Sequence, residues 1–269
     1  MKKPFGIMVP LLAGLLLTSC AIAPARVRAP LEDEGLVYIY LQPFPHEADR
    51  LAFTLASLAA VRTDGQEVPL TLRLAEYRKA GTGRQRLLGQ GVLPRGSYTG
   101  FTMSVSKAVL TGEEGDADLL LPENPVLQTF RFTLEGRRAL VLFAGIDYAH
   151  TLADEFRFNP VFVFSLPSKP VSVVAGYATN DASYALTVLD KNEMRAVGAI
   201  ATTRHPKGLA LDQRGKRVYA AAPEANAVSV FDVATQETLN TIRLNLGDMP
   251  RDLALTPDGK TLLVVNEGS

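Results

Sequence analysis

The sequence predicts an all-β fold: an N-terminal antiparallel β-sandwich, then a partial β-propeller of about two blades and the start of a third. Three observations point there. Apolar residues recur with a period of two through most of residues 34–166. The 17 prolines and 21 glycines fall at turn-like intervals, which favours many short strands over long helices. The C-terminal third repeats itself at a fixed spacing.

The strands of the first part follow in order. "GLVYIYLQP" alternates, and so does "RLAFTLASLAAV", with Leu51, Phe53 and Leu55 on one side. An Ala-rich helix over residues 48–60 competes locally. Thr54, the β-branched Val61 and the Asp64-Gly65 hairpin signal favour the strand. "VPLTLRL", "SYTGFTMSVSKAVL", "LQTFRFTLEG", "ALVLFAG" and "FRFNPVFVF" complete an antiparallel sandwich. Tyr98 is expected in its core, aimed by the turn Leu93-Pro94-Arg95-Gly96.

The repeat supports the second part. Pro206 and Pro250, Leu209 and Leu253, Gly215 and Gly259, and Lys216 and Lys260 each lie 44 apart. Tyr177 and Tyr219, Val188 and Val230, Asp190 and Asp232, and Ile200 and Ile242 lie 42 apart. Each unit holds four short strands, the size of one blade. In "TPDGKT", Pro257 fixes φ, Asp258 caps the turn and Gly259 takes a positive φ; Gly215 is expected to do the same one unit earlier. Residues 166–170, "LPSKP", form the expected junction between sandwich (residues 34–166) and propeller (residues 170–269).

The first twenty residues follow another plan. Lys2 and Lys3 give a positive end, and the apolar run from Ile7 to Leu17 is too short to span a bilayer, so residues 1–19 read as a signal peptide. Leu17-Thr18-Ser19-Cys20 resembles the bacterial lipobox, which implies that Cys20 is lipidated and becomes the mature N-terminus. Cys20 is the only cysteine, so no disulfide is expected. Ala21 follows it, and the resemblance implies the outer membrane, with the protein facing the periplasm or the cell surface. Residues 20–33 make a Pro- and Ala-rich tether.

Two further resemblances rest on motifs. "GLVYIYLQPFP", "LPRGSYTGFTMSVSKAVL" and "RFNPVFVF" are similar in order to a bacterial lipoprotein domain of unassigned activity, over roughly residues 33–166. Where that family has an acidic turn after the first strand, this chain has Gln42-Pro43-Phe44-Pro45. "GYATN", "VYAAA" and "LVVNEGS" resemble the bacterial propeller repeat named for its Tyr-Val-Thr-Asn signature. The signature positions are Tyr177, Thr179, Asn180, Tyr219 and Asn266, with Gly215 and Gly259 at the turns. Propellers related to this repeat include lactone hydrolases and domains of periplasmic redox enzymes.

Composition and motifs bound the function. Twenty-eight basic and 28 acidic residues give no net charge, which argues against nucleic-acid binding. No Gly-x-Ser-x-Gly elbow, phosphate-binding loop or Cys-x-x-Cys-His site is present, and no cofactor is expected. The histidines are His46, His150 and His205, all read as loop residues. Asp147, His150, Asp154 and Glu155 do not converge on a strand-rich background. The run Glu113-Glu114-Gly115-Asp116-Ala117-Asp118 resembles part of a Ca²⁺ loop, with Asp116 and Asp118 as the candidate ligands, but it lacks the closing Glu and reads as a hairpin tip.

The expectation is therefore a lipid-anchored, non-enzymatic binding module that presents a propeller to a protein or small-molecule ligand. A lactonase-like hydrolase or redox-enzyme subunit and a structural envelope component are the alternatives. Two blades leave edges and faces bare, so the array is expected to continue in a longer chain, or else to be completed by another chain or by the sandwich.

Overall fold

The computed structural model describes residues 30–78, 84–113, 115–154, 156–168, 175–181, 184–203 and 205–269. Leu17, Thr18, Ser19 and Cys20 lie outside the described residues, as do Glu114, Glu155 and part of the 166–170 junction. Among the described residues no helix is long and apolar enough to cross a membrane. The fold is all-β, a sandwich followed by propeller blades.

The described residues of the sandwich region form β1 (Glu34–Leu41), β2 (Leu51–Arg62), β3 (Glu67–Pro69), β4 (Thr71–Leu72), β5 (Glu76–Tyr77), β6 (Arg86–Pro94), β7 (Gly96–Gly112), β8 (Gly115–Asp118), β9 (Val126–Leu134), β10 (Ala139–Ile146), the separate short pair β11 (Leu152–Ala153) and β12 (Arg157–Phe158), and β13 (Phe162–Ser165). One sheet runs β13-β10-β1-β6-β4. The other runs β3-β2-β7-β8, with β5 beside β2 and β9 beside β7. The 48–60 stretch is a strand from Leu51 on, preceded by one 3-10 turn, His46–Arg50. At the β2–β3 hairpin Gly65 has φ +86 and Asp64 Oδ1 accepts from the Gln66 amide at 3.0 Å.

Between the sheets the side chains pack as the alternation requires. Phe44, Phe53 and Tyr77 stack, with Phe44 and Tyr77 centroids 3.8 Å apart. Phe101 sits between Phe132 (5.3 Å) and Phe164 (4.7 Å). Tyr98 is buried, and its hydroxyl donates to the Pro94 carbonyl at 2.6 Å, pinning the β6–β7 turn to its own strand.

Two features depart from a simple antiparallel sandwich. β1 and β10 pair in parallel, from Leu36 opposite Ala139 to Leu41 opposite Ala144. β1 is also buried on both faces rather than one. Val37, Ile39 and Leu41 point into the sandwich, while Leu36 and Tyr38 point away from it into a second cluster. A strand covered on both sides reads as a continuous apolar run, which "LVYIYL" is.

The blades follow. β14 (Ala175–Asn180), β15 (Ala185–Asp190) and β16 (Arg195–Ala201) make three strands. β17 (Leu209–Asp212), β18 (Arg217–Ala222), β19 (Ala227–Asp232) and β20 (Thr238–Arg243) make a full blade, and β21 (Pro250–Leu255) and β22 (Leu262–Asn266) a hairpin. The repeat extends to irregularities. The register shifts at Val188/Leu189 in one blade and at Val230/Phe231 in the next. Asp190 Oδ1 accepts the amides of Asn192 and Glu193, and Asp232 Oδ1 those of Ala234 (2.7 Å) and Thr235 (2.8 Å).

The amides of Thr235 and then Ala234 hold the Asp232 carboxyl below its ordinary value of 3.8. Such a group stabilises the fold above the unfolded-state pKa, and that contribution is lost as pH falls through the lower folded value. Asp232→Asn is therefore expected to lower the urea midpoint at pH 6 and to narrow the gap from wild type at pH ~2. Midpoints at both pH values check this; an equal gap at both overturns it.

The hairpin turns correct one expectation. Gly259 has φ +71, with Asp258 Oδ1 taking the Thr256 hydroxyl (2.6 Å) and the Lys260 amide (3.1 Å). Gly215 does not share that conformation: the positive φ falls on Lys216, at +52. The capping carboxylate comes earlier in this turn, where Asp212 Oδ1 accepts from the Gly215 amide at 2.8 Å. A Cβ on Gly215 would lie 2.1 Å from Asp212 Oδ2, so close approach is what glycine provides there.

Four layers stack in sequence, meeting at three interfaces. The outer face of the β13-β10-β1-β6-β4 sheet packs on the first blade, through Leu36, Tyr38, Val141 and Phe143 against Ala185, Val197 and their neighbours. Tyr40 hydrogen-bonds Thr187, Arg195 lies 5.5 Å over the Phe143 ring, and the Gln85 amide exchanges two hydrogen bonds with the Ala196 backbone (2.8 and 3.1 Å). The first blade packs on the second through Ala199, Ile200, Val218, Ala220 and Phe231. The second packs on the β21–β22 hairpin through Ala210, Tyr219, Val228 and Val230. Leu263 and Val265, 44 residues after the buried Tyr219 and Ala221, are 57% and 60% exposed.

Candidate functional site

The first two blades splay apart near the sandwich and leave a cleft of about 970 Å³. Its apolar lining includes Ala199, Ile200 and Ala201 from the end of β16, Phe231 of β19, and Ala225. One wall is the connection Thr202-Thr203; the other is the β19–β20 hairpin, with Ser229, Thr235, Thr238 and Thr241. Arg137 and Arg138, from the β9–β10 turn of the sandwich, close one end, and Glu224 lies on the rim.

The hydroxyls differ in how well they are satisfied. Ser229 is 2% exposed in an otherwise apolar strand, and its Oγ lies 3.4 Å from Thr203 Oγ1. Thr202 Oγ1 is buried with no hydrogen-bond partner. A buried hydroxyl left unpaired costs about 1–3 kcal/mol, so an unpaired one in a cleft wall marks a position suited to a ligand. The charged groups are matched. Arg137 pairs with Glu32, and Arg138 with Glu237 and Glu135.

Glu224 leads to a second cluster beside the cleft. It accepts from His205 Nε2 at 3.1 Å, while His205 Nδ1 lies 2.8 Å from Asp181 Oδ1. Lys207 Nζ is 3.7 Å from Asp181, and the Tyr184 ring centroid is 5.2 Å from the imidazole. Asp181 follows β14, Glu224 follows β18, and His205 and Lys207 precede β17, so the cluster ties two blades together. His205 has φ +48, a conformation that directs its ring between the two carboxylates. Protonated, it donates from both nitrogens; neutral, from only one. The two carboxylates sit at opposite nitrogens of the ring, and among the described residues no group of three His, Cys, Asp or Glu gathers there to hold a metal ion.

The structure places the other sequence-predicted residues elsewhere. Tyr177, Thr179, Asn180 and Tyr219 lie within strands and none lines the cleft. Asn266 ends β22, its amide nitrogen donating to Ser269 Oγ at 3.2 Å. Asp116 accepts from Thr111 Oγ1 at 2.8 Å and lines a smaller cavity of about 290 Å³ on the sandwich. Asp118 is exposed on the same strand, and no group of three His, Cys, Asp or Glu gathers there among the described residues. His150 pairs with Asp147 at 2.8 Å and His46 with Asp49 at 2.8 Å, each within one turn. Sequence reasoning missed the cleft hydroxyls. One signal was available: a serine inside the apolar strand "AVSVFD", 42 residues after Thr187 in "ALTVLD".

The description "Lactonase, 7-bladed beta-propeller" belongs to a family model that matches residues 168–269. No curated protein matches the chain. Among solved structures, hydrazine synthase from Kuenenia stuttgartiensis is 26% identical, covering 35% of this chain and 26% of that one, with a TM-score of 0.33. The dihydro-heme d1 dehydrogenase NirN is 13% identical over 77% of this chain and 51% of its own, with a TM-score of 0.29. A Bacteroides uniformis protein described as a 6-phosphogluconolactonase is 14% identical over 81% of this chain and 62% of its own, also at 0.29. The chain thus spans about a quarter of the length of the hydrazine synthase chain and about half that of NirN. Fold and family model together define the class: an all-β protein whose C-terminal part is built of β-propeller blades.

Proposed function

We propose that this is a lipid-anchored protein of a bacterial envelope that works as a non-enzymatic binding module. In this reading residues 1–19 are the signal peptide, Leu17, Thr18 and Ser19 the lipobox, and Cys20 the lipidated residue. The anchor holds the protein on the outer membrane, and the sandwich (residues 34–166) carries the propeller part (residues 170–269). The observation that supports binding is the cleft of about 970 Å³ walled by two blades and the sandwich, with an unpaired buried hydroxyl in its wall. Two measurements test the proposal. Metabolic labelling with a fatty acid should mark the wild type and leave Cys20→Ser unlabelled. A thermal-shift panel of sugars, anions and peptides should raise the melting temperature of the full chain with at least one compound; no shift with any of them sinks the binding reading.

The second reading is a lactonase-like hydrolase. It is favoured by the family model over residues 168–269 and by His205 set between Asp181 and Glu224. An imidazole oriented by Asp181 and released from Glu224 takes the proton of the water that attacks the lactone carbonyl and returns it to the ring oxygen that leaves. It predicts turnover of a lactone panel that falls at least about a hundredfold in His205→Asn. Turnover that survives this change removes His205 from the reaction.

A further inference from the structure

The chemistry of the interblade cleft identifies a class of ligand. We infer that it takes a neutral, polyhydroxylated ligand, an oligosaccharide; this rests on the reading of the cleft as a binding seat.

The walls present six hydroxyls: Thr202, Thr203, Ser229, Thr235, Thr238 and Thr241. The charged residues that also line the cleft, Arg137, Arg138, Glu224 and Glu237, each have a partner. Each hydroxyl both donates and accepts, as does each hydroxyl of a sugar, so the two sets pair without a fixed polarity. An ion finds no such match. Arg137 faces Glu32, Arg138 faces Glu237, and Glu224 faces His205. An anion would displace a carboxylate from its arginine, and a cation would displace an arginine or histidine from its carboxylate.

The buried Thr202 hydroxyl has no partner in the protein, and Ser229 has one long contact. A ligand hydroxyl supplies what they lack. Ala199, Ala201 and Ala225, with Ile200 and Phe231, give an apolar surface that suits the C–H face of a sugar ring. The volume, about 970 Å³, lies at the upper end for small-molecule sites and fits several linked rings. A peptide needs deep apolar pockets for side-chain anchors or a free strand edge. It is the competing occupant, because β16 and β20 are edge strands whose residues line the cleft. The six hydroxyls of the walls favour the saccharide, and tetra-alanine in the titration tests the peptide directly.

The test is calorimetric titration of the full chain in detergent with maltotetraose, cellotetraose and chitotetraose, alongside inorganic phosphate and tetra-alanine. At least one tetrasaccharide is expected to bind, with an affinity unchanged by added salt. Thr202→Val is expected to weaken it about tenfold without lowering the melting temperature, because the hydroxyl it removes is unpaired in the free protein. Thr241→Val, at the exposed rim, provides a second variant with little structural consequence and should weaken binding several-fold. Saccharide binding untouched by both changes overturns the assignment to this cleft. Binding of phosphate or tetra-alanine that both changes weaken, with no saccharide binding, overturns the ligand class and leaves the binding module standing. No binding by any compound of the panel overturns the ligand class, and the wider thermal-shift panel then decides the module.

Discussion

Phe143→Ala is expected to split the thermal unfolding of this protein into two transitions, where the wild type shows one. Phe143 is 8% exposed on the outer face of the β1–β10 sheet, under Arg195 and against the first blade. Truncating a buried Phe costs about 3–5 kcal/mol through lost transfer energy and the cavity left behind. The ring also gives up its cation–π contact with Arg195, worth about 0.5–2 kcal/mol. Both losses fall on the interface and not inside either layer. The sandwich retains its own aromatic core, while the blades lose the neighbour that covers them, so they are expected to melt first. Differential scanning calorimetry reads the outcome, and Phe143→Leu should largely restore the single transition. One transition at the wild-type midpoint in Phe143→Ala would mean that this interface contributes nothing to cooperativity.

Phe101→Ala is the complementary case, with its effect confined to the sandwich. Phe101 is fully buried between Phe132 and Phe164, one ring from each side of the core. The expected cost is again about 3–5 kcal/mol, with stacking worth roughly 0.5–1.5 kcal/mol beyond area alone. Set against a typical total stability of about 5–15 kcal/mol, that is a large share. In urea the midpoint should fall by on the order of 2 M with the slope unchanged. A changed slope would indicate that the core collapses and is not merely weakened. Tyr98, also buried, carries a hydroxyl bonded to the Pro94 carbonyl and facing Arg62, so Tyr98→Phe removes these polar contacts and leaves the ring packing in place.

How much of this was legible depended on the range of the signal. Period-two alternation from Leu51 to Arg62 is local, and together with Asp64-Gly65 it decided strand over helix correctly. The 42- and 44-residue offsets made the repeat legible because each unit carries its own turn residues. The four strands expected per unit are seen in the second blade, and only three are described in the first. Even register shifts and Asp-capped turns recur with the repeat. The parallel pairing of β1 with β10 was not legible. No local feature of "LVYIYL" or "ALVLFAG" states which distant strand lies beside it. Gly215 was misread because alignment equated it with Gly259, while the carboxylate that sets each turn sits at a different position. His205 looked like an isolated loop histidine. Its partner Asp181 comes from the preceding blade, 24 residues earlier, and only the stacking of blades brings them together. The cleft is the extreme case, drawing Arg138, Thr202 and Ser229 from three elements that meet only in the folded chain.

The sandwich sheet on the first blade has a consequence for how the array is organised. Thr187 and Ser229 are equivalent in the repeat; the first bonds Tyr40 of the sandwich, and the second faces the preceding blade. The sheet therefore holds the seat that a preceding blade would take, and its other face is committed to the sandwich core. Among the described residues, the blades stacked on it form a series that runs from the β1–β10 sheet to the β21–β22 hairpin, where Leu263 and Val265 are exposed. Within that series the cleft is entered laterally, between the first two blades.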